Sequence, residues 1–282
     1  KAVKFSIQKI AHEEKNCLYC PDGRSSVRPA TLATACSICV TEAKLPCDWP
    51  FDTLQEEAIM TPREYLGSAA VPGGEELKLY RRGGDFMIVL DRNELMSSRM
   101  SGSEKALAVM TIERLAGTKA PHLLIGGYGM GFTLRAALAG LDGSARITLA
   151  ELVPEIIEWA RGPMVELAAG CLDDPRVTLL MDDVVDVIAA GHASYDAILL
   201  DVDNGPDGLT AAANDRLYSA QGLAVAKAAL RPGGILAIWS AGSDDAFTRR
   251  LRNAGFLVDE VVVKARDNGK GPRHVIWFAR KR

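Results

Sequence analysis

The sequence predicts an α/β fold: a seven-stranded, mostly parallel sheet with helices on both faces, an antiparallel last strand, and a small β-hairpin ahead of it. Three observations carry this expectation. From His122 onward, short continuous apolar runs alternate with amphipathic segments, the pattern of strands buried on both faces. The series closes on two strand-like runs with no helix between them, so the final strand should insert antiparallel. Finally, the run Leu123-Leu-Ile-Gly126 leads into Gly127-x-Gly129-x-Gly131 and then into a helical pattern, the strand–turn–helix order of a nucleotide-binding loop.

Each element has a local reason. Glu76-Leu-Lys-Leu-Tyr-Arg81 alternates apolar and polar residues, Arg82-Gly-Gly-Asp85 supplies a turn, and Phe86–Leu90 returns, so a hairpin is expected over 76–94. A helix follows over 103–116, with Ser103 as N-cap and Leu107, Met110 and Leu115 near one face. Strands are expected at 122–126, 147–151, 177–181, 195–201 and 234–239. Helices follow them at 132–140, 154–169, 184–190, 217–230 and 244–254. The last two strands should be 257–264 and 274–279.

Composition narrows the function classes. Hydrophobic residues make up 48% of the 282 and charged residues 24%, the balance of a chain that buries a core and not of a disordered one. The net charge of −3 gives no electrostatic case for binding nucleic acid. No run approaches the ~20 apolar residues of a membrane-spanning helix, and the N-terminus lacks a signal peptide's apolar core. A cytoplasmic location is expected. The chain begins at Lys1 without Met, as a fragment or processed form would.

Four positions along successive strand ends point to a site. The glycines Gly126, Gly127, Gly129 and Gly131 allow a sharp turn and close backbone approach to a nucleotide, with helix N–H groups beside it; a tight βα turn alone would use them too. Glu151 ends the next strand, where a carboxylate can accept from both ribose hydroxyls; a solvated strand-end acid is the plain alternative. Asp182 and Asp183 end the third strand and suit either an adenine amino group or a helix N-cap. Asp201-Val-Asp203-Asn-Gly-Pro206, with Asp207, follows a largely apolar strand, and three acids in so short a loop favour a site over a polar turn.

In this order the residues resemble a class I S-adenosylmethionine-dependent transferase with a Rossmann-like fold, and more narrowly its spermidine synthase-like branch. The resemblance covers about Glu76 to Lys281. It implies S-adenosylmethionine or its decarboxylated form as co-substrate, a small-molecule acceptor such as an amine, and a homodimer. It also implies ribose binding by Glu151, adenine contact by Asp182, and a pattern shared by Arg135. The departures are informative. Spermidine synthases carry an Asp in the glycine loop, where this chain has Gly129. Their catalytic loop has two Asp residues three apart, whereas Asp201 and Asp203 are two apart. Of their substrate-side Tyr and Glu, only Glu94 has a counterpart within 93–100. The nucleoside half of the site matches and the polyamine half does not.

For transfer from a sulfonium the protein mainly supplies alignment, with a general base where the acceptor must lose a proton. Asp201 is the first candidate base, Asp203 the second, and Tyr218 could orient the acceptor, unless it is simply packed on the sheet. Trp239 and His274 read first as structural residues, and Gly269–Arg273 as a solvated loop. Methyl transfer is the main alternative, and a non-catalytic nucleoside-binding or partner-binding protein is another.

Three segments are expected: a Cys-rich stretch over 1–59, the hairpin region over 60–102, and the nucleotide-binding transferase domain over 103–282. Cys17-x-x-Cys20 and Cys36-x-x-Cys39, fifteen residues apart, have the spacing of a four-cysteine zinc site. The rival reading is that 1–59 is translated upstream sequence, because Gln55–Ile59 could be encoded by a purine-rich ribosome-binding sequence ahead of a start at Met60. A native peptide spanning Ala58 to Arg63 would sink the start-site idea.

Overall fold

The computed structural model describes residues 61–71, 76–202 and 216–282, all within one compact unit, Met60–Arg282. The zinc-type cysteines, the Gln55–Met60 start signal, and Asp203 to Asp207 lie outside the described residues.

Two sheets organise the chain. The first is an antiparallel meander of β1 (Glu64–Ala70), β2 (Glu76–Arg82), β3 (Asp85–Leu90) and β4 (Asn93–Ser97). The expected hairpin is its central pair, with Arg82 opposite Asp85 at the turn. The two outer strands were not expected. β1 lacks a clear alternation because Gly67 packs under Trp159, where a Cβ would lie 3.2 Å from the indole nitrogen. β4 is short, and its pairing with β3 shifts register between Ile88 and Val89.

The second sheet holds β5 (His122–Gly126), β6 (Arg146–Glu151), β7 (Val177–Met181), β8 (Tyr195–Leu200), β9 (Leu230–Ser240), β10 (Phe256–Lys264) and β11 (Arg273–Lys281). Their order is β10-β11-β9-β8-β5-β6-β7. The pairs among β5 to β9 are parallel, and β11 inserts antiparallel between β9 and β10, as expected. Burial explains the apolar runs. Leu123, Ile125 and Leu199 pack into the core on one face; Leu124, Ile198 and Leu200 pack into the core on the other. The four-stranded sheet sits on the first face, through Leu77, Leu79, Ile88 and Leu90.

The helices are α1 (Gly102–Arg114), α2 (Phe132–Gly140), α3 (Pro154–Arg161), α4 (Val165–Ala168), α5 (Val184–Ala190), α6 (Ala220–Ala229) and α7 (Asp245–Asn253). Two local readings are corrected. The long helix expected over 154–169 breaks into α3 and α4 around Gly162-Pro163, where Pro has no N–H to continue the ladder. Ser103 is not an N-cap; Ser101 holds that position, and Ser103 lies fully buried inside α1.

The start of α1 is pinned to the β10–β11 loop. Gly102 donates its N–H to the Ala265 carbonyl at 2.8 Å, and a Cβ at Gly102 would lie 2.6 Å from the Arg266 carbonyl carbon. Because backbone cannot yield like a side-chain tip, Gly102→Ala is expected to destabilise by about 1–3 kcal/mol, as overpacking does. Urea unfolding checks this; a midpoint unchanged from the parent would remove the steric argument.

The parallel topology sets the place of the site. β5 and β8 are neighbours, while the chain from β5 goes next to β6 on the other side. This reversal of strand order opens a crevice at the carboxyl ends of the strands, where open α/β sheets hold ligands.

Candidate active site

A cavity of about 160 Å³ lies over those strand ends, walled by Gly127, Gly129, Glu151, Asp182, Asp183 and Asp201 among others. Six residues singled out from sequence are thus brought together. Gly127 has a φ of 84°, and a Cβ there would come 2.8 Å from the Asp201 carbonyl oxygen, so the turn needs glycine. Glu151 is held by the loop it faces: one carboxylate oxygen accepts from the Tyr128 N–H at 2.8 Å, the other from the Val153 N–H at 2.9 Å. Burial raises its pKa, and these backbone bonds oppose the rise. Two more backbone N–H groups, of Leu152 and Gly129, also act on this carboxylate.

The neighbouring acids divide their work. Asp182 Oδ1 accepts from the Asp183 N–H at 2.9 Å. Asp183 caps α5, its Oδ1 accepting from the Val185 N–H at 2.9 Å, and it also walls the cavity. Gly126 and Gly131 line neither this cavity nor its neighbour. They serve packing: a Cβ at Gly126 would meet Val184 at 2.7 Å, and one at Gly131 the Tyr128 ring at 2.7 Å.

A second cavity, of about 290 Å³, adjoins the first, and both are lined by Asp201, Gly129, Met96, Leu77 and Val153. Its chemistry centres on two carboxyls. Asp201 Oδ2 accepts from the Thr133 hydroxyl at 2.6 Å. Glu104, in the first turn of α1, accepts from the Ser103 hydroxyl at 2.7 Å, and Ser103 Oγ lies 2.9 Å from His274 Nδ1. Burial pushes the Asp201 carboxyl up to about 6, against the Thr133 hydrogen bond. Burial, and then the charge of Asp201, push Glu104 up to about 8. Between those values the pair carries one proton and one charge. The His274 pKa is lowered by burial, and its ring meets Trp239 edge to face at 4.8 Å.

The placement of the remaining candidates differs from expectation. Tyr218 is 2% exposed and packs edge-on to Phe247 at 5.5 Å in the core on the sheet's other face. It walls neither cavity, so the packing alternative holds for it. Trp239 and His274, read first as structural, both wall the second cavity, as does Glu94. Glu104, Thr133 and Ser103 were missed. Ser103-Glu104 at a helix start reads as capping chemistry, and only the folded chain sets it against the end of β8. Among the described residues no group of three or more His, Cys, Asp or Glu side chains could hold a metal ion, and no helix is long and apolar enough to cross a membrane.

Fold and cavities together define a Rossmann-like α/β domain with two adjoining cavities at the carboxyl ends of its parallel strands. Residues 108–243 match the family model described as "Spermine/spermidine synthase domain". The chain is 32% identical over 194 residues to a polyamine aminopropyltransferase of Mycobacterium tuberculosis (strain CDC 1551 / Oshkosh), covering 65% of this chain and 35% of that protein. It is 33% identical over 142 residues to polyamine aminopropyltransferase 2 of Pseudomonas aeruginosa, covering 46% and 38%. The chain therefore spans little more than a third of the length of these relatives. The crystal structure of spermidine synthase from Thermotoga maritima superposes with a TM-score of 0.62 at 18% identity, over 78% of this chain and 73% of that one, which establishes the shared fold.

Proposed function

We propose that the chain is a spermidine synthase-like transferase that takes the aminopropyl group of decarboxylated S-adenosylmethionine to a small amine. The observation that carries this reading is the junction of the two cavities at Asp201 and Gly129. A donor held by its nucleoside in the smaller cavity would present its sulfonium at the mouth of the larger one.

The residues fit such a donor. Glu151 and Asp182 wall the smaller cavity, the first for ribose hydroxyls and the second for an adenine amino group. A sulfonium is already a good leaving group, so the protein's part is alignment and removal of the acceptor's proton. Asp201 is the group at the junction that can accept it, and ionises near neutral pH. Thr133 fixes one of its oxygens. Glu104, protonated while Asp201 is charged, spares the cavity a second buried negative charge.

One observation favours methyl transfer as a second reading. No acid stands at Gly129, and a Cβ there would come 2.9 Å from Met96 Sδ, so a thioether occupies the ground beside the loop. Calorimetric titration separates the two. Tighter binding of methylthioadenosine than of S-adenosylhomocysteine is expected for aminopropyl transfer. The reverse order would favour methyl transfer, and no binding of either would sink the transferase reading.

A further inference from the structure

We propose that the larger cavity takes a small primary monoamine on an apolar body, aromatic or branched, in preference to a polyamine. This rests on the transferase reading above and names the acceptor within it. Three observations converge.

The first is the wall. Met96, Met100, Met130, Phe132 and Trp239 surround the cavity and offer it thioether and aromatic surface. Such surface favours an apolar body over a chain of polar groups. The second is the arrangement of charge. Glu104 and Asp201 wall the same cavity, and Thr133 Oγ1 lies 2.6 Å from Asp201 Oδ2 and 3.3 Å from the Glu104 carbonyl oxygen, so the two acids stand at one end of it. The remaining described carboxylate on the wall, Glu94, sits on an exposed position of β4. Glu104 and Asp201 together provide one buried amine subsite. The third is the loop itself. Gly129 brings no side chain to the cavity, and Met96 Sδ fills the place beside it.

The chemistry balances with a single amine. The neutral amine's lone pair forms a new C–N bond to the donor carbon as the C–S bond breaks, and that bond's electron pair leaves on sulfur as a neutral thioether. The product ammonium then gives its proton to the Asp201 carboxylate.

The test uses the full chain with either S-adenosylmethionine or its decarboxylated form, and four amines: 2-phenylethylamine, 3-methylbutylamine, putrescine and spermidine. Release of thioether nucleoside reports turnover. We expect kcat/KM for 2-phenylethylamine to exceed that for putrescine at least tenfold. Met96→Asp should reverse the order by adding a spaced acid, while Met96→Leu should preserve it and controls for folding. Putrescine or spermidine preferred by the parent protein would overturn the inference. So would nucleoside binding without turnover of either monoamine, and in both cases the transferase fold and donor site would still stand. Absence of nucleoside binding would instead remove the reading on which the inference depends.

Discussion

Asp201→Asn is expected to lower kcat about 10²–10⁴-fold, the usual contribution of a positioned general base. The side chain keeps its shape and one oxygen for Thr133 but cannot take a proton. In the parent protein kcat/KM should rise as pH passes through about 6, where Asp201 ionises. A second change is expected near 8, where Glu104 loses its proton and adds a second buried charge beside the first. Glu104→Gln should remove the upper transition and leave the lower one. The same substitution carries a stability signature of known sign. The folded-state pKa of Glu104 lies above its ordinary value, so its contribution to stability is full in acid and is lost as pH rises through about 8. Glu104→Gln should therefore raise the Tm relative to the parent above pH 8 more than at pH 5. A pH–rate profile without a limb near 6, or an Asp201→Asn variant of parental kcat, would remove Asp201 from the mechanism.

Glu151→Gln is expected to weaken methylthioadenosine or S-adenosylhomocysteine binding about 100-fold. The physical reason is double. A carboxylate accepts stronger hydrogen bonds than an amide, each charged bond being worth about 1.5–3 kcal/mol. The amide NH₂ would also face either the Tyr128 or the Val153 N–H, donor against donor. Calorimetry reads the first effect and faster hydrogen exchange at the Tyr128 and Val153 amides reads the second. Unchanged affinity together with faster exchange would leave Glu151 a loop-holding residue without a ligand role.

The resemblance read from the sequence and the matched domain agree because the signals lie on consecutive strands. Local periodicity found β5 to β8 and β10 to β11 within a residue or two; for β5 and β8 the reason is burial on both faces, which demands apolar residues throughout. The same logic failed for β1, an edge strand whose Gly67 answers to Trp159 from another element. It failed also at Gly162-Pro163, where an apolar pattern runs through a break imposed by one missing amide.

The candidate site divides in the same way. The placement of Glu151, Gly127 and Gly129 on one cavity was legible because it depends on position at a strand end and on backbone conformation, both of which are local. Asp183 was equally visible, and in the folded chain one of its oxygens caps α5 while the residue walls the cavity.

By itself the sequence determined the alternation of buried strands and helices, the glycine turn, and the acids at successive strand ends. These follow from period, φ and short-range hydrogen bonding. Tertiary structure alone decided which distant groups share a cavity. It packed the start of α1 against the β10–β11 loop, bringing Glu104, Ser103 and His274 to Asp201 from two separate elements, α1 and β11. It also turned Tyr218 into the opposite core. Such pairings span up to 171 residues of chain, as between Ser103 and His274, and no local pattern encodes them because each depends on how the whole sheet is ordered.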